Sequence, residues 1–300
     1  MKKEYMMIGA AAVAIVLVAA GVMLFSGGTE SAKIEKTGTV LNEGALLGLA
    51  VPAYTIEELE ISGISDLEEH AAAFDGKIIG IDAGAGIMGM AQNSLSEYGL
   101  NSFTLMASSE AAMLAALKSA YEGGQHVVVT LWDPHWVAGV YDMVYLNDPE
   151  KVFGEAESIE SWSRPGLAAE DPVLAQIMGA YSYDIDEFNG LLAFIQDSDD
   201  DIGVATAEWL GENPEILERW LDGVVYEEGR GDVTVGLVSW ACAMGSSNVL
   251  KHVLEGVGYS VTLNTAEAGV MYTGLANGDI DLTTTAWVPL THAQYMERYA

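Results

Sequence analysis

Cysteine is nearly absent from this 300-residue chain, with Cys242 as its one representative. A single thiol makes no internal disulfide, and its distance from the N-terminus rules out lipid attachment at a processed N-terminal cysteine. No histidine lies near it in sequence, so it reads as a small buried thiol and not a nucleophile. Basic residues are also scarce: 12 Lys and Arg stand against 44 Asp and Glu, a formal net charge of −32. With no basic stripe to displace counterions, the composition argues against nucleic-acid binding. The acids are scattered in no long block, consistent with a high-salt habitat that screens self-repulsion, and equally with an ordinary acidic exported protein. No His, Asp or Glu cluster has metal-ligand spacing, and no catalytic constellation stands out. A metal, a cofactor and an enzymatic activity are therefore not expected.

What is present begins at the N-terminus. Residues Met6 to Phe25 carry no charge, and about 20 residues at 1.5 Å rise cross a hydrocarbon core of roughly 30 Å. Lys2 and Lys3 precede the segment and Glu30 follows it, which predicts an inside N-terminus and an exported body. The run is long for a cleaved secretory signal and lacks a clear small-x-small site, so a retained anchor over 1–28 is the preferred reading. A polar tether is expected at 29–44 and a lobe-crossing strand and linker at 45–75. A glycine-loop lobe at 76–154, a helical segment and hinge return at 155–230, and a second lobe at 231–300 complete the division. Trp162, Trp209 and Trp220 fall on amphipathic stretches of the helical segment and are expected to pack in the core.

The two lobes read as one unit used twice. Strand from Lys77, helix from about Ile87 to Tyr98, short strand Phe103 to Met106, helix after Ser108 or Ser109, and strand to Trp132 make the first. Strand from Val233, helix from about Ser246 to Glu255, strand Ser260 to Leu263, helix Ala266 to Ala276 and strand to Trp287 make the second. The distance from first strand to tryptophan is about 55 residues in both, the mark of a repeated unit. Alternating strand and helix predict small, mainly parallel α/β sheets with ligands at the carboxyl ends of the strands.

Tryptophans cluster at those ends: Trp132 in Trp132-Asp133-Pro134-His135-Trp136, Trp287 in Trp287-Val288-Pro289-Leu290-Thr291-His292, and Trp240 after Val233 to Ser239. Ring faces carry negative potential and can box a cation that has no hydrogen to donate. Gly84-Ala85-Gly86-Ile87-Met88-Gly89 matches the dinucleotide pattern G-x-G-x-x-G, with Glu110 about 20 residues on. The same loop offers bare backbone N–H groups and a helix dipole to any anion. A carboxylate site is preferred, with a nucleotide site and a merely tight turn left open. His292, just past Trp287, is a candidate donor to that carboxylate. His135 and Trp136 are expected to pack behind their turn more often than to touch a ligand, while His70, His126 and His252 have no visible partner.

Those residues also carry a resemblance. Gly80-Ile81-Asp82-Ala83-Gly84-Ala85-Gly86-Ile87-Met88, the Trp132 to Trp136 turn, Tyr145-Leu146-Asn147-Asp148-Pro149, Gly269-Val270-Met271-Tyr272 and Ala286-Trp287-Val288-Pro289-Leu290-Thr291-His292 are similar to substrate-binding proteins of glycine betaine/proline betaine ABC importers, from about Gly48 to the end. The resemblance implies an α/β two-lobe periplasmic-binding-protein (Venus flytrap) fold, here in the permuted form with the glycine-loop lobe first. It implies a tryptophan prism of Trp132, Trp240 and Trp287 around a trimethylammonium group, and a carboxylate held by amides of Gly86 and Ile87 and by His292. Asp133 stands where threonine is common and Leu290 where asparagine is common. Asp133 and His135 are thus possible rim residues, and a carboxylate at Asp133 would favour a cationic ligand such as choline.

The expected function is capture of glycine betaine or a related quaternary ammonium by lobe closure, outside the membrane, and delivery to an ABC transporter permease. Two other readings remain at this point: a dinucleotide-dependent oxidoreductase, and a ligand-sensing ectodomain sharing the pocket.

Overall fold

The computed structural model describes residues 33–300; the expected anchor, and the first residues of the expected tether, lie outside them. Among the described residues no helix is long and apolar enough to cross a membrane.

The first element is the one that joins the molecule. Strand β1 runs over Glu35–Pro52, 18 residues, and pairs antiparallel on both sides of its length. Its first part, up to Ala45, pairs with β6 (Glu157–Ser163). Its last part, from Leu46, pairs with β4 (Val128–Asp133) and β5 (Met143–Tyr145). Register shifts between Lys36 and Ala45, with Glu43 at φ 48°, mark where it turns from one sheet to the other. Bulges of this kind bend a strand and raise its twist. The expected tether is corrected here: from Glu35 on, that segment is sheet. Each bulge resets the period-2 alternation, so no clean apolar pattern announced a strand.

The first lobe follows as α1 (Ala53–Leu59), a 3-10 helix (Ile64–Phe74), β2 (Lys77–Ile79), α2 (Gly86–Glu97), β3 (Thr104–Met106), α3 (Glu110–Glu122), β4, α4 (Val137–Val140) and β5. Its parallel core has the strand order β3-β2-β4. After β6 come α5 (Leu167–Glu170), α6 (Pro172–Ala180), α7 (Ile185–Asp197), α8 (Ile202–Glu212) and α9 (Pro214–Trp220), then the second repeat. That repeat comprises β7 (Gly231–Leu237), α10 (Ala241–Glu255), β8 (Tyr259–Thr265), α11 (Ala268–Asn277) and β9 (Leu282–Val288), and α12 (Ala293–Tyr299) closes the chain. The parallel core β8-β7-β9 repeats the order of the first lobe, first strand in the middle. Ser109 caps α3 by accepting from the Ala112 amide at 3.2 Å.

Three boundaries differ from the sequence reading. Residues 157–163 form β6, not helix, and its inward side is Glu157, Ile159, Ser161 and Ser163. A strand that buries polar side chains has no hydrophobic alternation to read. Trp162 accordingly points to the other side of β6, where its Nε1 donates to Glu160 at 2.9 Å and its ring packs, partly buried, against the smaller core of Ile34, Met271 and Tyr272; Trp209 and Trp220 are in the main core as expected. The chain returns to the second lobe between β5 and β6, so the helices α5 to α9 pack on that lobe and are not the return itself: Tyr259 donates to Asp171 and His252 bonds the Gly203 carbonyl. Helix α10 starts at Ala241, five residues earlier than expected.

Packing across β1 is tight. A Cβ built on Gly38 would overlap the Met178 carbonyl oxygen of α6. Gly38→Ala is therefore expected to lower unfolding stability by about 1–3 kcal/mol, read as an earlier melting transition at fixed salt; an unchanged midpoint would mean that α6 is free to shift.

Candidate functional site

Trp132 is the fifth residue of β4, opposite Leu47 of β1, and Trp287 lies near the end of β9, opposite Ile159. Trp240 does not end a strand; it is the N-cap residue of α10. In both tryptophan turns the following X-Pro bond, Asp133-Pro134 and Val288-Pro289, is cis. All three indoles line one small cavity at the carboxyl ends of the parallel strands, together with Gly86 and Ile87. The rings of Trp132 and Trp240 stand 6.4 Å apart at 55°.

The cavity exists only between lobes. Trp132, Gly86, Ile87 and Leu47 come from the first and Trp240, Trp287 and Thr291 from the second. At the seam Gly86 meets Thr291: a Cβ at position 86 would overlap the Thr291 carbonyl oxygen. The Thr291 loop is held in turn by buried Glu157, which accepts from the Leu290 and Thr291 amides and the Thr291 hydroxyl.

The glycine loop opens α2. Ala85, its N-cap, offers no side-chain cap, and first-turn amides such as those of Gly86 and Ile87 have no intrahelical carbonyl to bond. Gly86 and Ile87 both line the cavity, and free amides at a helix start are of the kind that suits an anion. His292 is fully buried behind Trp287 and is not itself in the cavity wall, which its neighbour Thr291 reaches. Its Nδ1 accepts from the Trp287 amide at 3.1 Å and lies 2.9 Å from the Tyr272 hydroxyl. With Nδ1 accepting, the proton sits on Nε2, and Nε2, like the indole nitrogens of Trp132 and Trp287, has no partner among the described residues. The ring is 5.9 Å from that of Trp240. Burial pushes the His292 pKa down to about 3, so the ring is a neutral donor at ordinary pH.

The two possible rim residues lie elsewhere. Asp133 follows Trp132 in the strand, so its side chain leaves by the opposite face, where Oδ1 accepts from Asn189 at 2.9 Å. His135 is buried behind Trp132, edge-on at 5.0 Å and 77°. Its Nδ1 accepts from the Val137 amide and its Nε2 donates to Glu110 Oε1 at 3.1 Å. That contact also bears on the dinucleotide reading. Glu110, the acid that pattern assigns to a ribose, is buried and bonded to His135 and to the Ala241 amide. Cys242 is buried, and desolvation raises its thiol to about 12, which leaves it protonated and inert. Leu47, Ile81, Ala85 and Thr291 also line the cavity and were not expected from sequence, since single apolar residues carry no positional signal. Thr291 was within reach as the neighbour of His292.

Comparison with known proteins shows the family of the chain. The family described as the substrate binding domain of ABC-type glycine betaine transport systems matches residues 28–212 and 231–300. A glycine betaine/carnitine transport binding protein of Listeria monocytogenes is 33% identical over 224 residues, 74% of each chain. Lactococcal OpuAC, solved in a closed conformation with glycine betaine, is 29% identical with a TM-score of 0.56, over 62% of this chain and 70% of that one. A choline binding protein of an ABC transporter, solved with choline, is 28% identical with a TM-score of 0.58, over 64% and 67%. These relatives are binding proteins of transporters, and the oxidoreductase reading ends here.

The depressed His292 pKa has a sign that can be tested. The unfolded chain binds a proton near pH 6.5 and the folded one near 3, so this residue's contribution is complete above pH 6.5 and is lost progressively as pH falls toward 3. Denaturant midpoints measured from pH 7.5 to 5 are expected to fall in the parent, and to fall less in His292→Gln. Equal slopes would place His292 in a solvated environment.

Proposed function

The chain belongs to the family of substrate-binding domains of ABC-type glycine betaine transport systems, and on that premise we propose that it captures glycine betaine outside the cytoplasm and passes it to an ABC transporter permease. The observation that carries this reading is the shared cavity walled by Trp132, Trp240 and Trp287 from both lobes, with Gly86 and Ile87 of the glycine loop also lining it. The trimethylammonium group lies among the indoles. Each cation–π contact contributes about 0.5–2 kcal/mol, the upper value when water is excluded. The ligand carboxylate sits at the start of α2, with the His292 Nε2–H as a further donor. Micromolar affinity takes about 8 kcal/mol, so three rings need the carboxylate contacts and methyl burial beside them.

Closure is the signal to the permease, because the ligand completes a site whose halves lie in different lobes. Glycine betaine is favoured over choline on two counts: the free amides at the start of α2 have a purpose only for a ligand with a carboxylate, and Asp133 is engaged with Asn189 away from the cavity. The apolar segment Met6 to Phe25 is proposed to tie the protein to the membrane.

Calorimetry at high salt tests the assignment. Glycine betaine is expected to bind in the micromolar range, choline about tenfold or more weakly for want of a carboxylate, and unmethylated glycine not at all. Glycine bound as tightly as betaine would remove the reason for an aromatic box. Trp287→Ala is expected to abolish both the heat and the tryptophan fluorescence change. Gly86→Ala tests the seam: its methyl group meets the Thr291 carbonyl only when the lobes close, so affinity should fall by about 100-fold or more while the unliganded melting temperature stays put. An unaffected affinity would mean closure stops short of this contact.

A further inference from the structure

Among the described residues two acids of the first lobe reach the second at the box: Asp82 accepts from the Trp240 indole nitrogen at 3.4 Å, and Glu110 accepts from the backbone. Glu110 stands in the first turn of α3, is 6% exposed, and its Oε1 accepts from His135 Nε2 at 3.1 Å. Across the cleft the same carboxylate accepts from the Ala241 amide, at 3.2 Å to Oε1 and 3.0 Å to Oε2. Ala241 opens α10, and the N-cap of that helix, Trp240, supplies no side-chain cap. The missing cap is thus provided by the other lobe, with a charge of the sign the helix N-terminus favours. The carboxylate is two steps from both facing indoles. His135, which it holds, lies edge-on against Trp132 at 5.0 Å, and Trp240 immediately precedes Ala241.

We propose that Glu110 is a positioning residue that latches the lobes in the closed state by capping α10 across the cleft, and so sets the spacing of Trp132 and Trp240 around the ligand. The proposal rests on the capture reading above. Glu110 and His135 share a lobe, so their bond survives opening; the bonds to Ala241 do not. Association starts from the open form and is insensitive to the latch, whereas dissociation must break charge-assisted hydrogen bonds in a buried seam. Nearby, Asn189 also spans the seam, to Asp133 and to the His135 amide, but as a neutral amide that caps no helix.

Stopped-flow tryptophan fluorescence with glycine betaine on the full chain tests it, using Glu110→Ala, Glu110→Gln and Ala241→Pro. The last removes only the donor, because proline is tolerated at a first helical position and Trp240 before it is already extended at φ −102°, ψ 148°. Dissociation is expected to speed up about tenfold or more in Glu110→Ala and in Ala241→Pro and less in Glu110→Gln, with association changed less than about twofold. The double variant Glu110→Ala/Ala241→Pro should dissociate no faster than Glu110→Ala alone, the non-additivity of a shared contact. Parental dissociation rates in all variants, or lower unliganded stability with unchanged dissociation, would overturn the latch and leave the capture reading intact. A parent protein that binds no glycine betaine would instead end the capture reading itself.

Discussion

Two backbones from different lobes touch where Gly86 meets the Thr291 carbonyl, and this contact sets how near the lobes can come. Everything at the site is scaled by that distance. The indoles of Trp132 and Trp240 stand 6.4 Å apart because nothing larger than a hydrogen intervenes at position 86. Glycine in this loop therefore serves twice: it leaves the start of α2 open to an anion, and it allows the opposite loop to land there. The buried carboxylate of Glu157 fixes that opposite loop, so the stop is rigid on both sides.

Much of the architecture was legible in the sequence because it is repeated. Two runs of strand, helix, strand, helix, strand, each ending near a tryptophan, became two parallel cores with the same strand order. The elements that escaped are those whose patterns are broken or inverted. β1 is interrupted by bulges, and β6 turns Glu157, Ser161 and Ser163 inward. β6 breaks the rule that buried faces are apolar, its Glu157 binding the Thr291 loop, whereas β1 buries apolar residues and breaks only the alternation.

At the site, the residues that the sequence brought together by motif, Trp132, Trp240, Trp287, Gly86 and Ile87, share one cavity. Asp133 and His135 do not, and the reason is elementary: neighbours along a strand face opposite ways, and a buried imidazole takes the nearest carboxylate. The identity of that carboxylate, Glu110, was visible only as part of a false fingerprint. Pairings between side chains about 130 residues from their partner amide, as in Glu110 with Ala241, have no local signature at all.

One strand serving two sheets also limits what the gene can tolerate. Because side chains along β1 alternate with period 2, a one-residue insertion near Leu46 would turn Leu47 away from the cavity and carry every inward residue up to Val51 to the wrong side. The bulged half before Ala45 already absorbs irregular spacing and would accommodate such a change more easily. Length polymorphism along this strand should accordingly be one-sided, permitted upstream of the bend and barred downstream of it.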